Sequence, residues 1–115
     1  MATRIELPTI GSGPACCPDG LAAPLDRATA EDLARVLKAV ADPARLQLLS
    51  LIRSSPNAEA CVCDLTAPLE LSQPTVSHHL RVLTETGLLS RSSRGTWAWY
   101  SINEDRLREL ATLLS

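Results

Sequence analysis

The chain has 115 residues with a formal charge of −2, a length that suits one domain and a balance that argues against a protein simply coating nucleic acid or membrane. Apolar residues make up 45% and charged residues 21%, which excludes wholesale disorder and fibrous repeats; with aromatics at 3% and no Phe, the core must be built from Leu, Val, Ile and Ala, a composition suited to small packed helices. No apolar run approaches the roughly 18 residues of a membrane span, and the first 25 residues lack a basic start followed by an apolar segment, so the expected compartment is the cytoplasm with no membrane partner.

Met1 to Pro24 is rich in Pro, Gly and Ala and has no periodic apolar pattern. Residues 1–28 therefore read as a flexible N-terminal arm carrying Cys16-Cys17, and 29–115 as the folded domain. Thr29 precedes Leu33, Val36, Leu37 and Val40 at helical spacing, with Glu31 and Asp32 near the positive end, predicting a first helix that ends near Ala41. Asp42 with Pro43 starts a second helix through Leu46, Leu48, Leu49 and Ile52, closed by Ser54, Ser55, Pro56 and Asn57. A short third helix is expected from about Cys61 to Ala67, stopped by Pro68. Ser72 caps the next helix, with Pro74 in its first turn, Val76, Leu80 and Leu83 on one face, and Gly87 as its stop. Leu88 to Arg91 and Thr96 to Ile102 then flank Ser92, Ser93, Arg94 and Gly95, a β-hairpin pattern with a polar, basic tip. A last helix runs from about Glu104 with Leu107, Leu110, Leu113 and Leu114 as its stripe.

That order is mainly α with a small β-hairpin, and it fits a winged helix-turn-helix. The second helix of such a motif enters the major groove of double-stranded DNA, which makes Ser72, Gln73, Thr75, Ser77 and His78 candidate base readers. Charge supports a local DNA surface. Leu71 to Ser101 holds Arg81, Arg91 and Arg94 against Glu85 alone, while Met1 to Glu70 has six basic against nine acidic side chains. His78 and His79 belong to the same stretch and are assigned with Arg81 to the DNA face, and Arg91 and Arg94 to phosphate contacts, where a guanidinium fork matches the oxygens. Neighbouring His residues on a helix cannot face one ion together. Trp97 and Trp99 share a strand face and read as packing or dimer contacts.

Ala39 to Ser50 (AVADPARLQLLS), Cys61 to Leu65 (CVCDL) and Leu71 to Leu89 (LSQPTVSHHLRVLTETGLL) together resemble the ArsR/SmtB family of bacterial metal-sensing repressors, over about residues 30 to 110. The resemblance implies a homodimer with first and last helices at the interface, bound to operator DNA until a toxic metal or metalloid ion binds as effector. One departure is Glu70, in a turn where the family often has Gly.

The four cysteines form two tight pairs, Cys16-Cys17 and Cys61-x-Cys63, with no secretory signal to suggest disulfides. Thiolates select soft ions: trivalent arsenic or antimony needs three sulfurs, and tetrahedral cadmium, lead or zinc could use all four. Residues two apart on a helix point roughly 200° apart, so Cys61 and Cys63 can chelate together only if Cys61 precedes the helix and Cys63 sits in its first turn, where the helix terminus would lower the thiol pKa. The resemblance implies that Cys-Val-Cys is a ligand pair of arsenic and cadmium/lead sensors alike, and that a Cys-Cys arm looks like the arsenite type. On that reading Cys16 and Cys17 are ligands with Cys61 or Cys63 third, within or between protomers; a four-thiolate cadmium/lead site and a thiol redox sensor are the alternatives. The last helix has Asp105 and Glu109 but no His, so the zinc site that family members place there is not supported. An enzyme finds no support, since the chain lacks a Gly-rich phosphate loop, Gly-x-Ser-x-Gly and His-Glu-x-x-His.

Overall fold

A computed structural model of the chain describes residues 23–114; residues 1–22, Cys16 and Cys17 among them, and Ser115 lie outside the described residues. Helix α1 (Arg27–Val40) begins before Thr29 because Asp26 is its cap, accepting the Thr29 N–H at 2.9 Å. Helix α2 (Pro43–Ser54) starts as its Asp-Pro pair dictates, with Asp42 Oδ1 accepting the N–H groups of Ala44 and Arg45 at 2.9 and 3.2 Å.

The expected single helix over Cys61 to Ala67 is instead three pieces: strand β1 (Glu59–Cys61), a 3₁₀ turn over Val62–Asp64, and a one-turn helix α3 (Thr66–Leu69). A three-residue strand has no period to read. Pro68 does not stop α3 because it falls in the first turn, where a backbone N–H has no intrahelical partner to lose. Helix α4 (Gln73–Glu85) follows, with Ser72 Oγ accepting the Thr75 N–H at 3.3 Å and Pro74 in the first turn. It ends at Thr86 and Gly87, the latter at φ +86°.

Strands β2 (Leu89–Arg94) and β3 (Trp97–Ile102) form the hairpin, and β1 adds antiparallel to the far side of β3, giving the order β1-β3-β2. The hairpin tip also moves. Ser92, Ser93 and Arg94 pair with Trp99, Ala98 and Trp97, so the tip is Gly95-Thr96, with Gly95 at φ +63° as a tight two-residue connection requires. Helix α5 (Glu104–Leu114) closes the fold, with Asn103 Oδ1 accepting the Arg106 N–H at 3.3 Å.

The main core joins Leu48 and Ile52 of α2, Val76, Leu80 and Leu83 of α4, Leu65 between the turn and α3, and Leu89 and Tyr100 of the sheet. It fixes α4 against the hairpin. A second cluster, Leu33 and Leu113 with Leu25, Leu37 and Leu110, ties α1 to α5. The architecture is a winged helix-turn-helix, mainly helical with a three-stranded wing.

Candidate nucleic-acid interface and thiol pair

The turn between α3 and α4 is made by Glu70, at φ 56° and ψ 37°, whose N–H donates to the Ala67 carbonyl at 3.2 Å. This is the left-handed conformation that glycine adopts without penalty, so the Glu departs from the residue but keeps the turn. It sets the angle between the two helices of the motif.

Of the expected readers on α4, Gln73, Thr75 and His78 are exposed and Ser77 is half-buried. Ser72 serves the cap, accepting from the Thr75 N–H and donating to Thr75 Oγ1 at 2.9 Å. The two histidines part company. His78 is exposed, its Nδ1 3.2 Å from the guanidinium of the equally exposed Arg81. His79 is half-buried, its Nδ1 3.2 Å from Arg45 of α2. A guanidinium can only donate, so in each of these contacts the ring Nδ1 is the acceptor.

The wing arginines separate as well, because side chains alternate across a strand. Arg91 lies opposite Tyr100, on the face turned to α4; Arg94, three residues on, lies on the other face. A cleft of about 520 Å³ between α4 and the wing is lined by Ser77, His78, Arg81, Arg91 and Tyr100, with Glu85 at its edge. Two guanidinium groups with the donors of Ser77 and His78 on one cleft match a phosphate backbone passing between helix and wing. Arg94 instead contacts Glu59, its Nη2 2.6 Å from Oε2, and stacks 4.5 Å over the Trp99 ring, while Trp97 stays 54% exposed.

Three residues that the sequence did not single out hold α4 in place. Arg45 donates to the Ala39 carbonyl at the end of α1 at 2.6 Å as well as to His79. Arg35 of α1 and Arg106 of α5 donate to the carbonyls of Glu85 and Thr86 at 3.1 and 3.0 Å, at the negative end of α4. Both also bind Asp32, at 2.9 Å each. Burial pushes the Asp32 carboxyl up and the hydrogen bonds from Arg106 and Arg35 more than offset it, holding the group below the usual carboxylate range. Lone arginines on amphipathic helices carry no local signal of such roles.

Cys61 ends β1, 3% exposed, and Cys63 is exposed in the 3₁₀ turn that follows. Their sulfurs are 2.7 Å apart, which the interruption of helix between them permits. The Cys63 thiol is pushed up to about 11, first by its hydrogen bond with Cys61, then by burial and by negative charge at Cys61 and Asp64. That reverses the expected lowering: a three-residue turn offers little dipole, and two sulfurs in contact favour keeping the proton. Among the described residues no three His, Cys, Asp or Glu side chains come together to hold a metal ion. The pair supplies two soft donors of the three or four that a thiophilic ion takes.

Residues 42–91 match the model of the bacterial regulatory protein, arsR family. An uncharacterized HTH-type transcriptional regulator of Methanocaldococcus jannaschii is 39% identical over 84 residues, which span 73% of this chain and 92% of that protein. The chain belongs to the ArsR family. This ArsR-family chain is also 34% identical to the arsenical resistance operon repressor of Bacillus subtilis, over 64% of its own length and 68% of that repressor. It is equally 34% identical to a cadmium resistance transcriptional regulatory protein, a CadC homolog of Staphylococcus aureus, over 69% of this chain and 64% of that one. Its fold is similar to the solution structure of a homodimeric winged helix-turn-helix DNA-binding domain from Mycobacterium bovis, with a TM-score of 0.65 and 32% identity over 80% of this chain and 85% of that one. Family and fold are those of DNA-binding transcriptional regulators, and no helix among the described residues is long and apolar enough to cross a membrane.

Proposed function

We propose that this ArsR-family chain is a homodimeric repressor that binds operator DNA and is released when trivalent arsenic or antimony is held by the thiolates of Cys16, Cys17 and one of Cys61 or Cys63. The observation that carries the reading is the Cys61–Cys63 sulfur pair, 2.7 Å apart, in the turn that leads into α3 and α4. An ion that takes one sulfur of this pair draws it out of its 2.7 Å contact with the other, at the foot of the helix-turn-helix. A shift there moves each recognition helix against a half-site spacing of about 34 Å.

The chemistry balances without a redox partner. Arsenous acid and three thiols give three arsenic–sulfur bonds and three waters, each thiol proton leaving with a hydroxyl group. Base contacts come from Gln73, Thr75, Ser77 and His78, with Ser72 as cap, and phosphate contacts from Arg81, Arg91 and Arg94; His79 stands beside them on α4 with its ring held by Arg45. The α1–α5 cluster, with Leu114 66% exposed beside it, is the dimer face.

Titration of arsenite, then cadmium, lead and zinc, into a complex of the reduced protein with promoter-proximal DNA tests this by fluorescence anisotropy. Release by arsenite at the lowest concentration, lost in a Cys16→Ser, Cys17→Ser double variant, is the expected result. Release first by cadmium or lead, or release that survives replacement of all four cysteines by Ser, would refute it.

A further inference from the structure

The strand that ends in Cys61 also carries the carboxylate that holds a wing arginine. In the pairing register Glu59 lies opposite Ser101 and Cys61 opposite Trp99, while across β3 Ser92 lies opposite Trp99 and Arg94 opposite Trp97. Directly paired residues of antiparallel strands project from the same face, their Cβ atoms about 5 Å apart. Glu59, Cys61, Trp99 and Arg94 therefore share one face of the sheet, the face opposite the α4 cleft.

Strand register and side-chain contacts link these residues in turn. Cys61 is buried with Trp99 across from it and the Cys63 sulfur against its own. The Arg94 guanidinium lies 4.5 Å from the centre of the Trp99 ring, and its Nη2 donates to both Glu59 oxygens, at 2.6 and 2.9 Å. Glu59 stands two residues before Cys61 on a strand only three residues long, so whatever fixes Cys61 fixes Glu59.

We infer that Glu59 and Trp99 make the wing answer to the thiol pair: an ion held at Cys61 or Cys63 fixes β1 on β3, which tightens the Glu59–Trp99 hold on Arg94 and withdraws that guanidinium from a DNA phosphate. This rests on the thiol pair being the effector site. Arg94 cannot serve Glu59 and a phosphate with the same nitrogen, so the carboxylate competes with DNA for it. Ion-free protein gives Arg94 up to DNA, and ion-bound protein keeps it. Release then has two parts, a displaced recognition helix and a wing with one cation fewer.

The experiment measures operator affinity by anisotropy, with and without sodium arsenite, for the unsubstituted protein and for Glu59→Gln, Arg94→Ala and the double variant. Glu59→Gln should bind operator up to about fivefold more tightly per wing at low salt, the scale of one part-exposed ion pair, and its arsenite-induced loss of affinity should shrink by a similar factor. In the Arg94→Ala background the Gln substitution should change neither quantity, as a double-mutant cycle requires if the effect runs through that arginine. In a Trp97→Phe variant, where Trp99 is the one remaining tryptophan, emission should shift with the same arsenite midpoint as DNA release. Arsenite that loosens the unsubstituted and Glu59→Gln proteins by the same factor overturns the coupling alone, as does a Gln effect that persists without Arg94. Arsenite that fails to loosen the unsubstituted protein overturns the sensor reading and the coupling with it.

Discussion

The proton held by Cys63 makes pH the sharpest probe of which ion this site serves. With its thiol pushed up to about 11, Cys63 is protonated through the whole range from pH 6.5 to 8.5. A bare divalent cation must displace that proton into solution, so each pH unit raises its apparent affinity about tenfold for Cys63 alone. Across two units the gain is about 100-fold. Arsenous acid is neutral in this range and takes each thiol proton off as water, so the same thiol adds no pH slope to its binding.

Following DNA release by anisotropy at a series of pH values, the cadmium midpoint should therefore fall at least tenfold per pH unit and the arsenite midpoint should stay level. Cys63→Ser should remove one tenfold step per unit from the cadmium series. A cadmium midpoint that does not move with pH would mean that Cys63 is already a thiolate or is not a ligand, and would refute the reasoning about the sulfur pair. An arsenite midpoint that falls tenfold per unit would refute the water-releasing stoichiometry.

Other substitutions test the fold and the DNA face. Leu80→Ala empties a fully buried position between α4 and the rest of the main core and should cost about 3 kcal/mol in urea unfolding; a loss below 1 kcal/mol would contradict the packing. Glu70→Gly relieves a left-handed non-glycine residue and should raise stability by about 0.5 to 1 kcal/mol, read as a higher melting temperature, whereas a fall would mean that the Glu side chain holds the turn. Arg91→Ala should weaken binding to all DNA sequences alike and lower the salt slope by about one, and a changed sequence preference would move Arg91 from phosphate to base contact. His79→Gln should leave base preference unaltered while His78→Gln alters it, the opposite pattern meaning that the Arg45 contact does not hold the ring.

The long elements were legible because each has a start signal and a period. Asp42 with Pro43, Ser72 with Pro74, and the spacing of Val76, Leu80 and Leu83 are local facts, and the structure places caps and core where they fall. What was not legible is set by pairing between distant segments. Glu59 to Cys61 become a strand only because β3 offers an edge, and once they do, Cys61 leaves the helix and its sulfur can reach that of Cys63. Arg91 and Arg94 looked equivalent as basic residues of one hairpin, yet a strand that runs through Arg94 puts them on opposite faces. His78 and His79 divide for the matching reason on a helix, where adjacent residues point about 100° apart.

The long-range arginines join these pieces into a device with a fixed span. Asp32 receives both Arg35 and Arg106, and those two arginines hold the last carbonyls of α4, so the end of the recognition helix is fastened to the helices that carry the Leu33–Leu113 cluster. In a dimer built on that cluster, the distance between two recognition helices is set at their C-terminal ends by α1 and α5. At their N-terminal ends it is set by the Glu70 turn, α3 and the thiol pair. The first end rests on half-buried and exposed ion pairs that a soft ion does not touch. The second rests on a one-turn helix and on two sulfurs whose contact the proposed ion would break. On the proposed reading, a ligand at Cys61 or Cys63 would tilt α4 about its fastened end rather than slide it, and a tilt moves Gln73 and Thr75, at the free end, farther than Arg81.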